Sequence, residues 1–437
     1  MRTQIPEALI DDPDVTEMDA ILRKCVHCGF CLPACPTYSL NGDERTSPRG
    51  RIYLIKSMIE GAQQDAESIA APIDSCLSCL ACASACPSGV DYQHFIDLAR
   101  PRLERAIRRA PGDAFIRAIL AWLLPYPHRF KFALTMARMA RPFASIVEMV
   151  FGKRMAAMLR TAPSDARRNA IIDGPCTFAA GSGTTARVGL LVGCAQQVLR
   201  PSINEATIRL LNRMSVDVVV PKDAGCCGAL VHHLGRDRDA HETVANAVDV
   251  WRDEHARTPL DAIVVNAAGC GTHMKDFGFV MRGSGHETDA RAVASLARDV
   301  SEVVAAYGLP QRGTSRRLPR VVYHDACSLL NGQKVTEPPR RLLREAGFEV
   351  LEVPGRHFCC GSAGSYNLLQ PETADGLAQR RIAAIEGTDA DVIVTGNIGC
   401  LEQLARMTRL PVVHTVELLD WATGGPVPIG LESLERT

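Results

Sequence analysis

CVHCGFCLPACP runs from Cys25 to Pro36, and CLSCLACASACP from Cys76 to Pro87. Both stretches read C-x2-C-x2-C-x3-C-P, one grammar written twice near the start of the chain. In this spacing three closely placed thiolates wrap one 4Fe-4S cube, while the fourth, carried off by its proline, reaches across to the other. Cys25, Cys28, Cys31 and Cys86 are therefore expected to hold one cluster, and Cys76, Cys79, Cys82 and Cys35 the second. Sulfur ligands also suit zinc. A zinc ribbon, however, needs only C-x2-C pairs and leaves the third cysteine and the repeated C-P unexplained. The spacing predicts a chain that conducts electrons.

The 437 residues leave room for two or three domains, each with its own core. Seventeen cysteines are too few for a disulfide scaffold of this length, and most sit in metal-type spacings. Met1 to Ile10 has no apolar core of signal-peptide type, so a cytoplasmic chain is expected, where clusters and thiolates survive. Forty-nine basic and forty-nine acidic residues cancel, which gives no support to a nucleic-acid partner. A dinucleotide site needs G-x-G-x-x-G between a strand and a helix. Gly181 and Gly183 precede a strand-like run, and Gly361 and Gly364 have the wrong spacing, so no flavin is expected on this chain.

The charge is uneven. Between Arg100 and Arg168 stand fifteen Lys/Arg against four acidic residues. Phe115, Ile119, Trp122 and Leu123, then Val147, Phe151, Met155 and Met158, fall at helical spacings. Pro125, Pro127, His128, Arg129 and Lys131 interrupt the stretch well short of the roughly twenty apolar residues that cross a bilayer. Two readings stand. A basic amphipathic segment can lie on an anionic membrane or an acidic partner, or it is ordinary helix packed on its neighbours with its arginines in water.

A second duplication follows. Cys194 and Cys327 stand 133 residues apart, as do Cys226 and Cys359, Cys227 and Cys360, and Gly228 and Gly361. Gly269 and Gly399, and Cys270 and Cys400, pair at an offset of 130. Strand-like runs at Val188–Val192, Val216–Val220 and Ala262–Val265 alternate with a helical pattern at Ile203–Met214, and the later half repeats the order. Alternation of this kind predicts parallel α/β layers with ligands gathered where strands end, so the four cysteines of each half should meet on one rim. Adjacent cysteines share a site only if the backbone turns sharply, which Gly228 and Gly361 permit. The expected organisation is multidomain: a mainly α-helical two-cluster domain at 1–110, the basic helical segment and a linker at 111–186, and duplicated α/β cysteine-rich repeats at 187–305 and 319–437. Cys176, in the small polar linker, fits no set. Phe30, Leu32, Leu77 and Leu80 are candidates for apolar cover over the clusters.

The block Cys194…Cys226-Cys227-Gly228…Cys270 and its partner resemble the CCG domain of heterodisulfide reductase B subunits, anaerobic glycerol-3-phosphate dehydrogenase C subunits and lactate-utilisation proteins. With the ferredoxin-like half, the whole chain is similar to the iron-sulfur subunits of glycolate oxidases, most closely in CVHCGFC at 25–31, PRGRIYLIK at 48–56, GCAQ at 193–196 and CCGSAG at 359–364. The resemblance implies an electron-transfer subunit that is not itself catalytic. Glycolate would be oxidised to glyoxylate on FAD-bearing partner subunits, and electrons would pass towards a quinone-type acceptor, at the inner face of the plasma membrane if the basic segment binds there. Its neighbours leave a lactate or glycerol-3-phosphate complex, or a heterodisulfide-reductase-like catalytic subunit, as alternatives. His324-Asp325 and His232-His233 are candidate proton carriers for the catalytic version. One departure stands out: the reductase pattern ends in C-x2-C, whereas Cys270 is followed by His273 and Cys400 by Gln403 at the matching places. Each half keeps four cysteines, Cys194, Cys226, Cys227, Cys270 and Cys327, Cys359, Cys360, Cys400, with His273 a substitute ligand in the first. An additional cluster, zinc and reduced thiols all remain open for them.

Overall fold

A computed structural model describes residues 1–61, 66–151, 171–181, 183–311, 313 and 318–432. The N-terminal region is helical. Asp12 caps Pro13–Lys24 by accepting from the amides of Asp14 and Val15 at 2.9 and 3.2 Å, and Ser47 caps Pro48–Ile59. Met18, Ile21 and Leu22 from the first of these helices, Ile52, Ile55 and Ile59 from the second, and Phe95, Ile96 and Leu103 from Tyr92–Ala106 recur at helical spacing and close one core. Pro36 opens the helix Pro36–Asn41 directly after Cys35 and turns the chain away from its triad.

Two sheets follow. In the first half β2 (Ala186–Leu191), β3 (Val216–Val220), β4 (Ala262–Val265) and β5 (Ala297–Asp299) are parallel, and β1 (Cys176–Phe178) adds an antiparallel edge, giving the order β1-β3-β2-β4-β5. In the second, β6 (Arg320–Tyr323), β7 (Glu349–Leu351), β8 (Val392–Thr395) and β9 (Val412–His414) run parallel in the order β7-β6-β8-β9. Apart from the extra edge the two orders are the same. Central strands such as AIVV and VIVT are buried throughout, as strands covered on both faces must be.

The sheets are not independent. Helix Pro201–Arg213 of the first half packs on Thr415–Ala422 of the second, and Val300–Tyr307 of the first on Pro338–Glu345 of the second, a reciprocal exchange that joins both halves in one core. Asp420, almost fully buried, is held there by Arg209 at 2.6 Å and by Arg213.

Three sequence expectations are corrected. The polar stretch at Cys176 is an edge strand registered on Val218–Val220 before it becomes a connection. Cys270 and Cys400 do not end strands but sit in the opening turns of helices Ala268–Lys275 and Ile398–Ala405. In Pro111–Leu123 the buried face is Ile116, Leu120 and Ala121, packed on Val231, Leu234 and Leu369, while Phe115 and Trp122 are 62% and 59% exposed. Leu77 and Leu80 are buried, and Phe30, although 65% exposed, lines the pocket that holds Cys25, Cys28 and Cys31. Met155 and Met158 lie outside the described residues. No helix among the described residues is long and apolar enough to cross a membrane.

Candidate metal centres

The cysteine loops of the N-terminal region are wound tightly. His27, Ser78 and Leu80 adopt left-handed backbone at φ 55°, 49° and 59°, a conformation disfavoured for side chains of this kind and held here by the surrounding fold. Cys25, Cys28, Cys31 and Cys86 line one pocket together with Ile52, Pro87 and Tyr92. Burial, and then the nearby sulfurs of Cys25 and Cys86, push the Cys31 thiol up to about 11. Cys82 also lines this pocket, but its stronger neighbours lie on the other side: burial, then Cys79, Cys76 and Cys35, raise its thiol well above the ordinary range. The structure thus carries Cys86 to the first triad and Cys35 to the second.

A buried cation backs the second set. Arg51 is 1% exposed and donates to the Pro72 carbonyl at 2.7 Å, Thr37 Oγ1 at 3.0 Å, Ser75 Oγ at 2.8 Å and Cys35 Sγ at 3.9 Å. No carboxylate among the described residues bonds it. Burial opposes its charge, and Cys76, Tyr92 and Cys35 more than offset that. Tyr92 in turn points its hydroxyl at Cys76 Sγ, 4.0 Å away. Arg51 lies within a stretch read only for likeness. Its role was hidden because burial beside sulfur depends on long-range packing.

In the first α/β half Cys226 Sγ and Cys194 Sγ stand 3.4 Å apart, and Cys227 lies within reach of Cys226 and Cys270. Hydrogen bonds from Cys194 and Cys227 hold the Cys226 thiol well below its ordinary range against burial, helped by the Gly228 amide at 3.4 Å. The second half repeats the turn, the Gly361 amide reaching Cys359 Sγ at 3.4 Å, with Cys327 beside Cys359 and Cys360 beside Cys400. Gly228 and Gly361 have φ of +87° and +83°, and a Cβ on Gly361 would meet the Ala374 carbonyl oxygen at 2.4 Å. The sharp turn brings both adjacent sulfurs to one rim in each half.

The histidines separate the halves. His273 is buried against Gly228 with its Nε2 unpartnered, edge-on to His232 at 4.9 Å. In the second half a ring nitrogen of His324 and the sulfurs of Cys360 and Cys400 lie within 4.8 Å of one another. Burial, then Arg381, pushes His324 down to about 3, so the ring is neutral. Buried Arg381 is the second guanidinium that sequence reasoning missed. Burial works against its charge, while Asp325 and the sulfurs of Cys360, Cys400 and Cys359 favour it. A buried cation without a bonded carboxylate needs an anion nearby. At Arg51 the neighbouring sulfurs of Cys35 and Cys76 can supply one; at Arg381 Asp325 contributes but is bonded by Arg340, and the sulfurs of Cys360, Cys400 and Cys359 add to it, so these donor sets fit negatively charged iron-sulfur centres.

The N-terminal sulfurs meet the second half directly. Leu77, Cys79, Cys359, Tyr366 and, partly buried, Cys327 share one apolar cluster. Asn331 donates to the Cys79 carbonyl at 2.9 Å and accepts from Ser84 Oγ at 2.9 Å, and Tyr366 donates its hydroxyl to the Ser75 carbonyl at 3.3 Å. The first half docks through ions. His94 sits between Asp91 at 2.8 Å and Asp276 at 2.9 Å and stacks on Phe279. Burial lowers its pKa, and the two carboxylates overcome this to raise it to about 10.

Comparisons agree with this layout. A 4Fe-4S dicluster domain profile matches residues 21–90, and a cysteine-rich domain profile matches twice, at 188–275 and 321–405. The chain is 35% identical over 423 residues to the glycolate oxidase iron-sulfur subunit of Escherichia coli, covering 97% of this chain and 99% of that one. It is 30% identical over 426 residues to the probable glycolate oxidase iron-sulfur subunit of Bacillus subtilis, covering 92% and 94%. Lactate utilization protein A of Anoxybacillus flavithermus is 25% identical over 240 residues, 53% of this chain and 98% of its own length.

Proposed function

We propose a function that starts from kinship: the chain belongs to the glycolate oxidase iron-sulfur subunit family, whose members are electron-transfer subunits of oxidoreductase complexes. Within such a complex its role is to carry electrons from FAD-bearing subunits that oxidise glycolate to glyoxylate towards a quinone-type acceptor. Cys25, Cys28, Cys31 and Cys86 hold one 4Fe-4S cluster and Cys76, Cys79, Cys82 and Cys35 the other, with Cys327, Cys359, Cys360 and Cys400 holding a further centre. Such clusters supply one-electron carriers when bound.

One observation carries the reading: cysteines neighbour one another from exposed Cys28, which shares a pocket with Cys82, through Cys79, which shares a cluster with Cys359, to buried Cys360 and Cys400. The chain's own residues protect that line. Leu77 and Tyr366 keep water out between Cys79 and Cys359, and Arg51 steadies the negative charge of the middle set. The same burial argues against a heterodisulfide-reductase-like role, because Cys359, Cys360 and Cys400, at 2% exposure or less, offer a substrate no entry. The boundaries near 110, 186, 305 and 319 divide these tasks. The outward face of Pro111–Leu123 and Pro127–Ala140, with exposed Trp122, Phe132 and Met139 and Arg129 stacked over Tyr126 at 4.0 Å, is the surface we assign to peripheral contact with the inner membrane face.

Anaerobic purification with its partners, quantifying iron, sulfide, zinc and flavin together, tests the proposal. Two cubes give about eight irons per chain, a third centre gives more, and glycolate reduces them only when the flavoprotein is present. A colourless, iron-poor chain that still supports full glycolate oxidation overturns it.

A further inference from the structure

The two α/β halves share their cysteines but not what surrounds them. His324 stands 133 residues after Leu191, and Arg381 stands 130 after Trp251, the same two offsets that relate the cysteines. Two apolar side chains of the first half are thus replaced by an imidazole and a guanidinium in the second, all four buried.

Arg381 Nε donates to His324 Nδ1 at 2.9 Å, and its NH1 donates to the Gly355 carbonyl at 2.9 Å. Its NH2 is buried without a partner. Asp325, the neighbouring carboxylate, is engaged by Arg340 at 2.6 and 2.7 Å and by Arg356 at 3.3 Å. Arginine has no acceptor, so the hydrogen bond fixes the ring: Nδ1 accepts and Nε2 carries the proton. That Nε2 N–H is itself buried without an acceptor. Two orphaned donors therefore lie by the sulfurs of Cys360 and Cys400, one of them on a guanidinium that makes no hydrogen bond to a carboxylate among the described residues.

We propose that Arg381 and His324 act as a pair that raises the reduction potential of the centre on Cys360 and Cys400. The inference rests on the reading that the second half holds an iron-sulfur centre. One-electron reduction adds a negative charge to such a centre, and a fixed cation and an N–H donor stabilise the reduced form more than the oxidised one. At the matching positions the first half offers Trp251 and Leu191, neither of which carries a charge. Both residues are positioning groups.

The test uses the full chain prepared anaerobically, with iron, sulfide and zinc counts and a dithionite potentiometric titration followed by electron paramagnetic resonance. Wild type should hold more than the about eight irons of the N-terminal cubes. Arg381→Met and His324→Phe should each shift one component's reduction equilibrium at least tenfold against reduction, about 59 mV for one electron. Arg381→Lys should restore most of the shift, and the other components should not move. Unchanged potentials with iron retained overturn the pairing and leave the electron-transfer reading standing. Only about eight irons in wild type, or zinc in place of extra iron, overturns both the third centre and this inference. If Arg381→Met loses the extra iron, retention in Arg381→Lys supports the need for charge, and loss from both overturns it.

Discussion

The first and second α/β halves carry the same strands, the same Cys-Cys-Gly turn and the same four sulfurs, yet they differ in how each site handles charge. In the first, charge settles on sulfur itself, with Cys226 held low by Cys194 and Cys227 under a wall that includes Trp251. In the second, Arg381 and Arg340 bring positive charge inside, and the N-terminal sulfurs lie alongside. The contrast teaches that a duplicated ligand set need not mean a duplicated site. The side chains behind the ligands decide what each copy can do.

Three measurements break or sharpen this contrast. The largest effect is expected from Trp251→Ala, which removes a fully buried indole packed on Gly189 and should cost about 3–5 kcal/mol in urea unfolding. A cost below about 1 kcal/mol would mean that the first half is not built on that wall. Next come the two turn glycines. Left-handed backbone alone costs about 1–2 kcal/mol for an alanine. Gly228→Ala should stay near that, because its new methyl meets side chains, those of Val244, His273 and Thr243, at 3.1 Å and beyond. Gly361→Ala should cost at least twice as much, since the methyl would drive into the Ala374 carbonyl. Equal losses would remove this difference between the turns.

The smallest effect concerns docking and pH. His94 has its pKa raised from 6.5 to about 10 by Asp276 and Asp91 against burial, so the stabilisation it provides is complete below pH 6.5 and is lost as pH rises through about 10. Hydrogen exchange in Tyr92–Ala106 should quicken across that window in wild type, and less so in Asp276→Asn. Contacts of the second half through Asn331 and Tyr366 involve groups without a matching ion pair and should hold over the same range. Identical pH profiles at both contacts would show that the His94 clamp does not set the docking.

Much of this was legible in the chain. The offsets of 133 and 130 located both halves, and the runs at Val216–Val220, Ala262–Val265 and Val392–Thr395 are strands as read, because β-branched runs buried on both faces leave little choice. Cysteine spacing likewise marked the two-cluster region at the start of the chain. What sequence could not show depends on long-range neighbours. Cys176–Phe178 becomes a strand only because the β3 edge is there to pair with it. The helix Pro111–Leu123 turns Ile116 and Leu120 inward because Val231 and Leu234 lie on that side, which leaves Phe115 and Trp122 outside despite their apolar character. Arg51 and Arg381 look like ordinary surface arginines until the fold buries them against sulfur.

The reciprocal exchange of helices between the two sheets has a practical consequence for the bench. Pro201–Arg213 covers Thr415–Ala422, and Pro338–Glu345 covers Val300–Tyr307, so neither copy owns a finished interior. Because the two copies interlock, removing either strips the other of part of its core. A fragment cut near residue 310 would bare the faces of Leu210, Leu418 and Trp421, and would clump rather than stand as a miniature of the whole.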